Sequence, residues 1–507
     1  MIGKRFDLRF LFMILVIVSC MIYQALETDG GEKRNPKSSP KGQISPPDEN
    51  SHFGISNLYP KFSHTIASAG IKWARLNNVR WDYFEPTAPS SGRHSYRWNL
   101  LDSSLGKVQS EGFSIKCVLV STSPWAVGGK VNRGAKMSGP PKPQYLEDYG
   151  EWIFNLVERY DGDGVKDMPG LRYPIKHWQI DSEIWSNSWS GTPEDYISLL
   201  KTAYIAAKRA DKGAKIHVAN FLSFDPKTLT NETLEQRVKV QREKARRKLD
   251  TARSLINQCL DNHRYFDIIG FHANDSYKDI PVVVKWLLTE MKKRGYQKPI
   301  WIGDAASAPL LGRGTWNPFS TKTKNDLNDE TALSEILSNT NHERYRKTEA
   351  WFRREQAMVS FKKCVVAVAC GVEKIFLVAA FDWPHYHAIG FRHTGILDRK
   401  GGPRPVYYTY KLLIQKLDRF ESIETLNIAE GVWAYKFIVG DKPMYVLWKD
   451  GDKTQTVHLD LRARSAQITN VASSENGTFN KRESGIIDRG LDVEVGNEPL
   501  LIEILEK

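Results

Sequence analysis

His177-Trp178-Gln179-Ile180-Asp181-Ser182-Glu183 and Lys298-Pro299-Ile300-Trp301-Ile302-Gly303-Asp304 are short apolar runs that each terminate in an acid. Each reads as a buried strand that terminates in an acid. Acids at the C-terminal ends of parallel strands are the arrangement in which a (β/α)8 barrel builds its chemistry. Similar strand-like runs occupy 52–58, 71–77, 115–120, 215–220, 266–271 and 374–381, so the two acid-tipped runs become the fourth and seventh of eight. Helix-like stretches at 100–112, 145–160, 193–210, 281–294, 342–370 and 406–417 fall between or after them. Gly112 closes one of these helices. Thr192-Pro193 opens another, with threonine as N-cap and proline in the first turn. Eight alternating units predict parallel βα repeats closed into a TIM barrel. A doubly wound open sheet is disfavoured by the count and by the lack of a glycine-rich phosphate loop after the first strand.

Beyond about residue 421 the texture changes to short alternating runs at 432–439, 444–448, 456–461, 466–469, 491–495 and 500–505. Gly-Asp, Asn-Gly and Gly-Asn turns separate several of them. The expected organisation is therefore a barrel over 51–420 followed by a small antiparallel β-sandwich domain over 421–507. Two insertions interrupt the barrel pattern. Residues 222–262 read as a charged, solvent-exposed helix, with a nucleic-acid arm as the less favoured reading. Residues 311–341 form a polar segment after the acid-tipped seventh strand, where loops shape a substrate site, and are a candidate lid.

The N-terminus reads as an export segment. Lys4, Arg5 and Arg9 precede an apolar stretch reaching about Leu26, and a polar linker over 27–50 follows. No A-x-A-like cleavage site is present. Ile17-Val18-Ser19-Cys20 loosely resembles a lipobox, so Cys20 is a candidate lipidated residue. The stretch is also near the lower length limit for a spanning helix. Signal peptide, lipid anchor and helix anchor stay open, and each predicts an exported, cell-envelope or secreted protein. Cys117, Cys259, Cys364 and Cys370 complete the five cysteines, with no zinc-ligand spacing. Cys364 and Cys370 lie six apart on one expected helix, about 9 Å along its axis, too far for a disulfide.

The 507 residues are 41% hydrophobic and 26% charged, which excludes a disordered chain. The net charge of +13 suits an anionic partner or simply a basic surface, and no nucleic-acid motif accompanies it. Fifteen tryptophans supply flat faces suited to core packing and to stacking on sugar rings.

From residue 51 to the end the chain resembles retaining glycoside hydrolases of the clan-A superfamily, in texture the family 39 and family 5 enzymes. Gly70-Ile71-Lys72-Trp73-Ala74-Arg75-Leu76 looks like that superfamily's second strand with its active-site arginine. Trp81, Glu85-Pro86, Tyr96-Arg97-Trp98 and Leu101-Asp102 are similar to the series that follows it. Ser123-Pro124-Trp125-Ala126, Asp267 to His272, Phe381-Asp382-Trp383 and Gly390 to Tyr407 resemble the ends of the third, sixth and eighth strands and the closing segment. The resemblance implies a carbohydrate substrate, Glu183 as acid/base and Asp304 as nucleophile. It implies substrate-binding or orienting roles for Arg75, Trp125, Ser182, His272 and Trp383. No metal or organic cofactor is implied, because two carboxylates suffice.

Two departures stand out. Ser182 precedes the acid where the superfamily has asparagine, and Asp304 holds the place of a longer glutamate. A retaining pair stands about 5–5.5 Å apart and an inverting pair about 6.5–9.5 Å, so a shorter arm widens the gap. Three readings follow. In the first the barrel repositions Asp304 as nucleophile; in the second Asp304 acts as general base in an inverting reaction; in the third catalysis is lost and the cleft only binds glycan. Burial beside Asp304 is expected to favour the protonated form of Glu183. Each residue also has a purely structural reading: a salt-bridged strand-end acid for Glu183, a turn residue for Asp304, a floor ion pair for Arg75, a satisfied core histidine for His272, core packing for Trp125. Asp181, Asp382 and Glu85 are spare acids. Oligomeric state is not legible.

Overall fold

A computed structural model describes residues 47–127, 139–184, 189–221, 253–274, 276–306, 333–383, 392–461, 463–486 and 490–506. The export segment with Cys20, most of the linker, and residues 222–252 and 307–332 of the two insertions lie outside the described residues. Among the described residues no helix is long and apolar enough to cross a membrane.

Eight parallel strands form one sheet: β1 (Phe53–Ser56), β2 (Trp73–Arg80), β3 (Ser114–Val120), β4 (His177–Ile180), β5 (Lys215–His217), β6 (Ile269–His272), β7 (Ile300–Ala306) and β8 (Lys374–Val378). Their order is β5-β4-β3-β2-β1-β8-β7-β6. Parallel bridges His217–Ile268 and Phe221–Phe271 join the two ends, so the sheet curls into a barrel. The fold is the expected (β/α)8 barrel. Its outer layer follows from local sequence. Thr192 and Asp195 form a capping box that starts the helix Pro193–Ala210, a device of about 1 kcal/mol. The helix Asn99–Ser110 ends before Gly112, whose φ is +76°, a conformation glycine adopts without steric cost.

The barrel interior departs from the aliphatic filling usual in this architecture. Trp73, Ile268, Trp301 and Phe376 pack together, with Trp73 and Trp301 edge to face at 5.1 Å. His177 stacks on Trp301 and shares a 2.9 Å contact with His217. Above them Gln179 accepts a hydrogen bond from Asn220 at 3.0 Å. Asn220 reaches the barrel axis only because residues 270 and 303 are glycines; a Cβ on Gly303 would stand 1.6 Å from its Nδ2.

Antiparallel strands follow: β9 (Phe420–Thr425), β10 (Val432–Val439), β11 (Lys442–Lys449), β12 (Gln455–Asp460), β13 (Ser465–Asn470), β14 (Lys481–Gly485), β15 (Gly490–Val495) and β16 (Leu500–Glu506). They make a six-stranded sheet, β14-β13-β16-β11-β10-β9, and a pair, β12-β15. Period-two alternation splits the larger sheet's side chains between two cores. Ala434, Tyr445 and Leu447 pack with Val457, Leu459 and Val493 of the pair, whereas Tyr435, Phe437, Val446 and Trp448 join the barrel's core. The second domain is thus a β-sandwich seated on the barrel. The charged insertion is not exposed throughout: residues 253–261 are helical, and Leu255, Ile256, Cys259 and Leu260 are buried.

Candidate active site

The mouth of the barrel brings Arg75, Ser182 and Asp304 into one bonded group and His272 and Glu183 into a second beside it. Arg75 Nη1 donates to Asp304 Oδ1 at 2.9 Å and to Ser56 Oγ at 2.9 Å, and its Nη2 points to Ser182 Oγ at 3.5 Å. His272 Nδ1 is 2.8 Å from Glu183 Oε1, and Nε2 is 3.6 Å from Asp304 Oδ2. The imidazole therefore stands between the two carboxylates. Its nitrogens are about 2.2 Å apart, so Glu183 Oε1 and Asp304 Oδ2 lie no more than roughly 9 Å from each other, a bound that covers both the retaining and the inverting spacing.

Backbone geometry explains why these side chains meet. Asp304 is not a turn residue, since β7 continues to Ala306. Opposite β6, His272 pairs with Asp304 one register step out of sequence. Opposite β8, the register shifts again between Ile302 and Ala305. Both shifts describe one extra residue on β7, a bulge at Gly303-Asp304. A bulge bends its strand and re-aims the side chain. On β4 the ideal alternation that would put Asp181 and Glu183 on one face fails, because β4 ends at Ile180 and both acids have positive φ, +56° and +52°. Asp181 is buried, while the Glu183 side chain keeps 31% of its surface exposed. Left-handed non-glycine residues cost about 1–3 kcal/mol each and cluster at functional sites.

The electrostatics of the two arms differ. Burial pushes the Asp304 carboxyl up, but Arg75, then His272, the Ser56 hydroxyl and Lys116 outweigh it and hold the group below its ordinary value. Asp304 is thus an ionised carboxylate with 17% of its side chain exposed. Beneath it Lys116 is fully buried, its Nζ 5.5 Å from the Trp301 ring centre. Burial first, then the charge of Arg75, drives its amine well below the usual lysine range.

The other expected residues and the spare acids make the following contacts. Trp125 donates through Nε1 to the Glu85 carbonyl at 3.0 Å and packs edge to face on Trp81 at 4.8 Å and Tyr145 at 5.5 Å. Trp383 packs against Phe381 at 5.7 Å. Glu85 is engaged by Trp81 Nε1 at 3.0 Å and by His94 at 2.8 Å. Asp382 is clamped by Arg353 at 3.2 Å and Arg404 at 2.6 Å, a buried brace under the closing segment. Ser56 and Lys116 belong to the site and were not anticipated. Their signals were available: Ser56 lies in register with Arg75 at the end of β1, and Lys116 is a charge inside an apolar run.

One acidic group elsewhere, Asp161, Asp163 and Asp167, lies close enough together to face a common ion. It stands on the loop after the helix Leu146–Tyr160, and no cofactor enters the reaction described below.

No protein-family model matches the chain, and no curated protein matches it significantly. Solved structures do resemble it. A family 39 glycoside hydrolase from the gut symbiont Bacteroides cellulosilyticus WH2 superposes with a TM-score of 0.59 at 12% identity, covering 91% of this chain and 82% of its own. A glucosidase from Croceicoccus marinus gives 0.55 at 14% identity over 90% of this chain and 96% of its own. A family 39 enzyme from Xanthomonas axonopodis pv. citri gives 0.54 at 11% identity over 94% and 100%. At such identities the likeness is one of architecture: this chain has the barrel-plus-sandwich fold found in family 39 glycoside hydrolases.

Proposed function

We propose that the protein is a glycoside hydrolase that cleaves a poly- or oligosaccharide with retention of configuration, Glu183 serving as acid/base and Asp304 as nucleophile. The observation that carries this reading is the pair of strand-end carboxylates held on either side of His272, one of them ion-paired to Arg75. In the first step Glu183 donates its proton to the glycosidic oxygen as the C–O bond breaks, and Asp304 attacks the anomeric carbon to form an ester. In the second, the Glu183 carboxylate takes a proton from water, which attacks the same carbon and releases Asp304.

Each residue present has a task in that sequence. The forked guanidinium of Arg75 keeps Asp304 ionised and fixes its orientation. His272 Nδ1 stands 2.8 Å from Glu183 Oε1 and orients that carboxyl, while its Nε2 side lies toward Asp304 at 3.6 Å. The β7 bulge supports the nucleophilic over the general-base role, because an extra residue advances the strand where the side chain is one methylene short. Ser182, held toward Arg75, leaves recognition of the sugar's neighbouring hydroxyl to a shorter group than an amide.

The basic start and apolar stretch before residue 27 support export to the cell envelope, with the chain anchored there by a lipid on Cys20 or by the helix itself. The test is turnover of a panel of aryl glycosides by residues 47–507, beside Glu183→Gln and Asp304→Asn. Activity lost in Asp304→Asn on every substrate, and lost in Glu183→Gln on glycosides with poor leaving groups, supports the assignment. Activity surviving both overturns the site, and glycan binding without turnover replaces hydrolysis by a binding role.

A further inference from the structure

Lys363 is fully buried near the end of the helix Tyr345–Ala369. A buried ammonium is stable only when its donors are met, so its partners are informative. Nζ donates to the carbonyl oxygens of Ala273 and Ala306, each at 2.8 Å, and reaches that of Asn274 at 3.3 Å. Ala273 follows His272, and Ala306 is two residues beyond Asp304. One cation therefore ties the ends of β6 and β7 together just past the two residues that face Glu183. The tie falls where the register of the strand ladder shifts, beside the extra residue on β7.

The neighbouring lysine points elsewhere. Lys362 Nζ donates to Asn497 Oδ1 at 2.8 Å and stands 3.5 Å from Asp450 Oδ1, both in the β-sandwich. Consecutive helical residues diverge by roughly 100°, so this pair of lysines links the helix to both domains, and only Lys363 touches the strand ends of the site.

We propose that Lys363 is a positioning residue: its ammonium ties the ends of β6 and β7 and so sets the spacing of His272, which bonds Glu183, from Asp304. The proposal rests on the hydrolase reading above. A structural lysine and a positioning lysine differ in what their loss does to turnover, and Lys362 is the internal control, a buried lysine of the same helix turn that braces the other domain.

The experiment compares Lys363→Met with Lys362→Met in the full chain, measuring thermal midpoint, kcat and KM on the aryl glycoside that the wild type cleaves. Lys363→Met is expected to lower kcat by about 10²-fold, the scale of an ångström-sized misplacement, with KM within about threefold. Lys362→Met is expected to lower the thermal midpoint comparably while keeping kcat within about threefold. Lys363→Gln, whose amide still donates to a carbonyl, replaces the methionine variant should that one not fold. Unchanged kcat in the Lys363 variant, or an equal loss in Lys362→Met, overturns the proposal. If the wild type cleaves no glycoside, the hydrolase reading falls, and imidazole 15N NMR of His272, assigned with His272→Gln, still decides on Lys363. A hydrogen-bonded Nδ1 signal kept in Lys362→Met and displaced in the Lys363 variant supports positioning; the same signal in both refutes it.

Discussion

Replacing Arg75 by methionine isolates the charge that keeps the proposed nucleophile ionised. Arg75 is almost fully buried and its partner nearly so, with 2% and 17% of their side chains exposed, so solvent screens the pair little. An opposite charge in contact depresses a carboxyl by about 1–3 pKa units. His272, Ser56 and Lys116 remain in the variant, so the Asp304 carboxyl rises from its lowered position while keeping part of its support, and a buried carboxylate left without its partner costs about 3–5 kcal/mol. The sign is fixed. The folded-state pKa of Asp304 lies below its ordinary value, so the pair contributes stability that is present above the unfolded carboxyl's pKa and lost as pH falls through the folded one. In Arg75→Met that contribution disappears near neutral pH, and the stability gap to wild type narrows on acidification. The same shift moves the acid limb of the kcat/KM profile upward, because a larger share of Asp304 is protonated at a given pH. Arg75→Lys keeps a charge but not the fork that reaches Ser56 and Ser182, so its acid limb moves less while kcat still falls. The assay is a pH–rate profile with a urea melt at two pH values. An acid limb unmoved in folded Arg75→Met refutes the assignment of Asp304 as the group that must ionise.

Other substitutions separate catalysis from architecture. Glu183→Gln is expected to slow glycosides with poor leaving groups by about 10²–10⁴-fold, the usual worth of a positioned acid, and activated aryl glycosides far less; equal losses on both count against the acid role. Gly303→Ala drives a methyl into Asn220 and is expected to cost at least about 1–3 kcal/mol, with Asn220→Ala in the same chain restoring part of it in a denaturant titration. Asp382→Ala leaves Arg353 buried without its carboxylate and is expected to destabilise by about 3–5 kcal/mol. Its folded fraction should keep kcat, and a selective loss of kcat would move Asp382 into the site.

The strands that carry the site were legible because a buried parallel strand is apolar on both faces, and both acids stood at the ends of such runs. The strands that escaped sequence reading, β9 and β14, are the two edges of the larger sandwich sheet. Their residues are largely exposed and charged, as edges that avoid further pairing tend to be, so they lack the alternation that betrays a half-buried strand. β2 extends three residues beyond its expected end at Asn77, where a register shift between Leu76 and Val79 accommodates two consecutive asparagines. The bulge on β7 and the positive φ of Asp181 and Glu183 are likewise invisible in composition. They are local exceptions to strand geometry, and they decide which side chains face each other. Lys116 and Lys363 were hidden for a different reason: a lysine in an apolar run reads as an interruption until the structure supplies its surroundings.

Trapping the covalent intermediate tests the central claim most directly. The enzyme is incubated with an activated 2-deoxy-2-fluoro glycoside of the sugar it cleaves, then digested and sequenced by mass spectrometry. The account predicts a single glycosyl adduct on Asp304, absent from Asp304→Asn, with glycosyl products released in the substrate's own anomeric configuration. An adduct on another carboxylate, or inversion without any adduct, would contradict it.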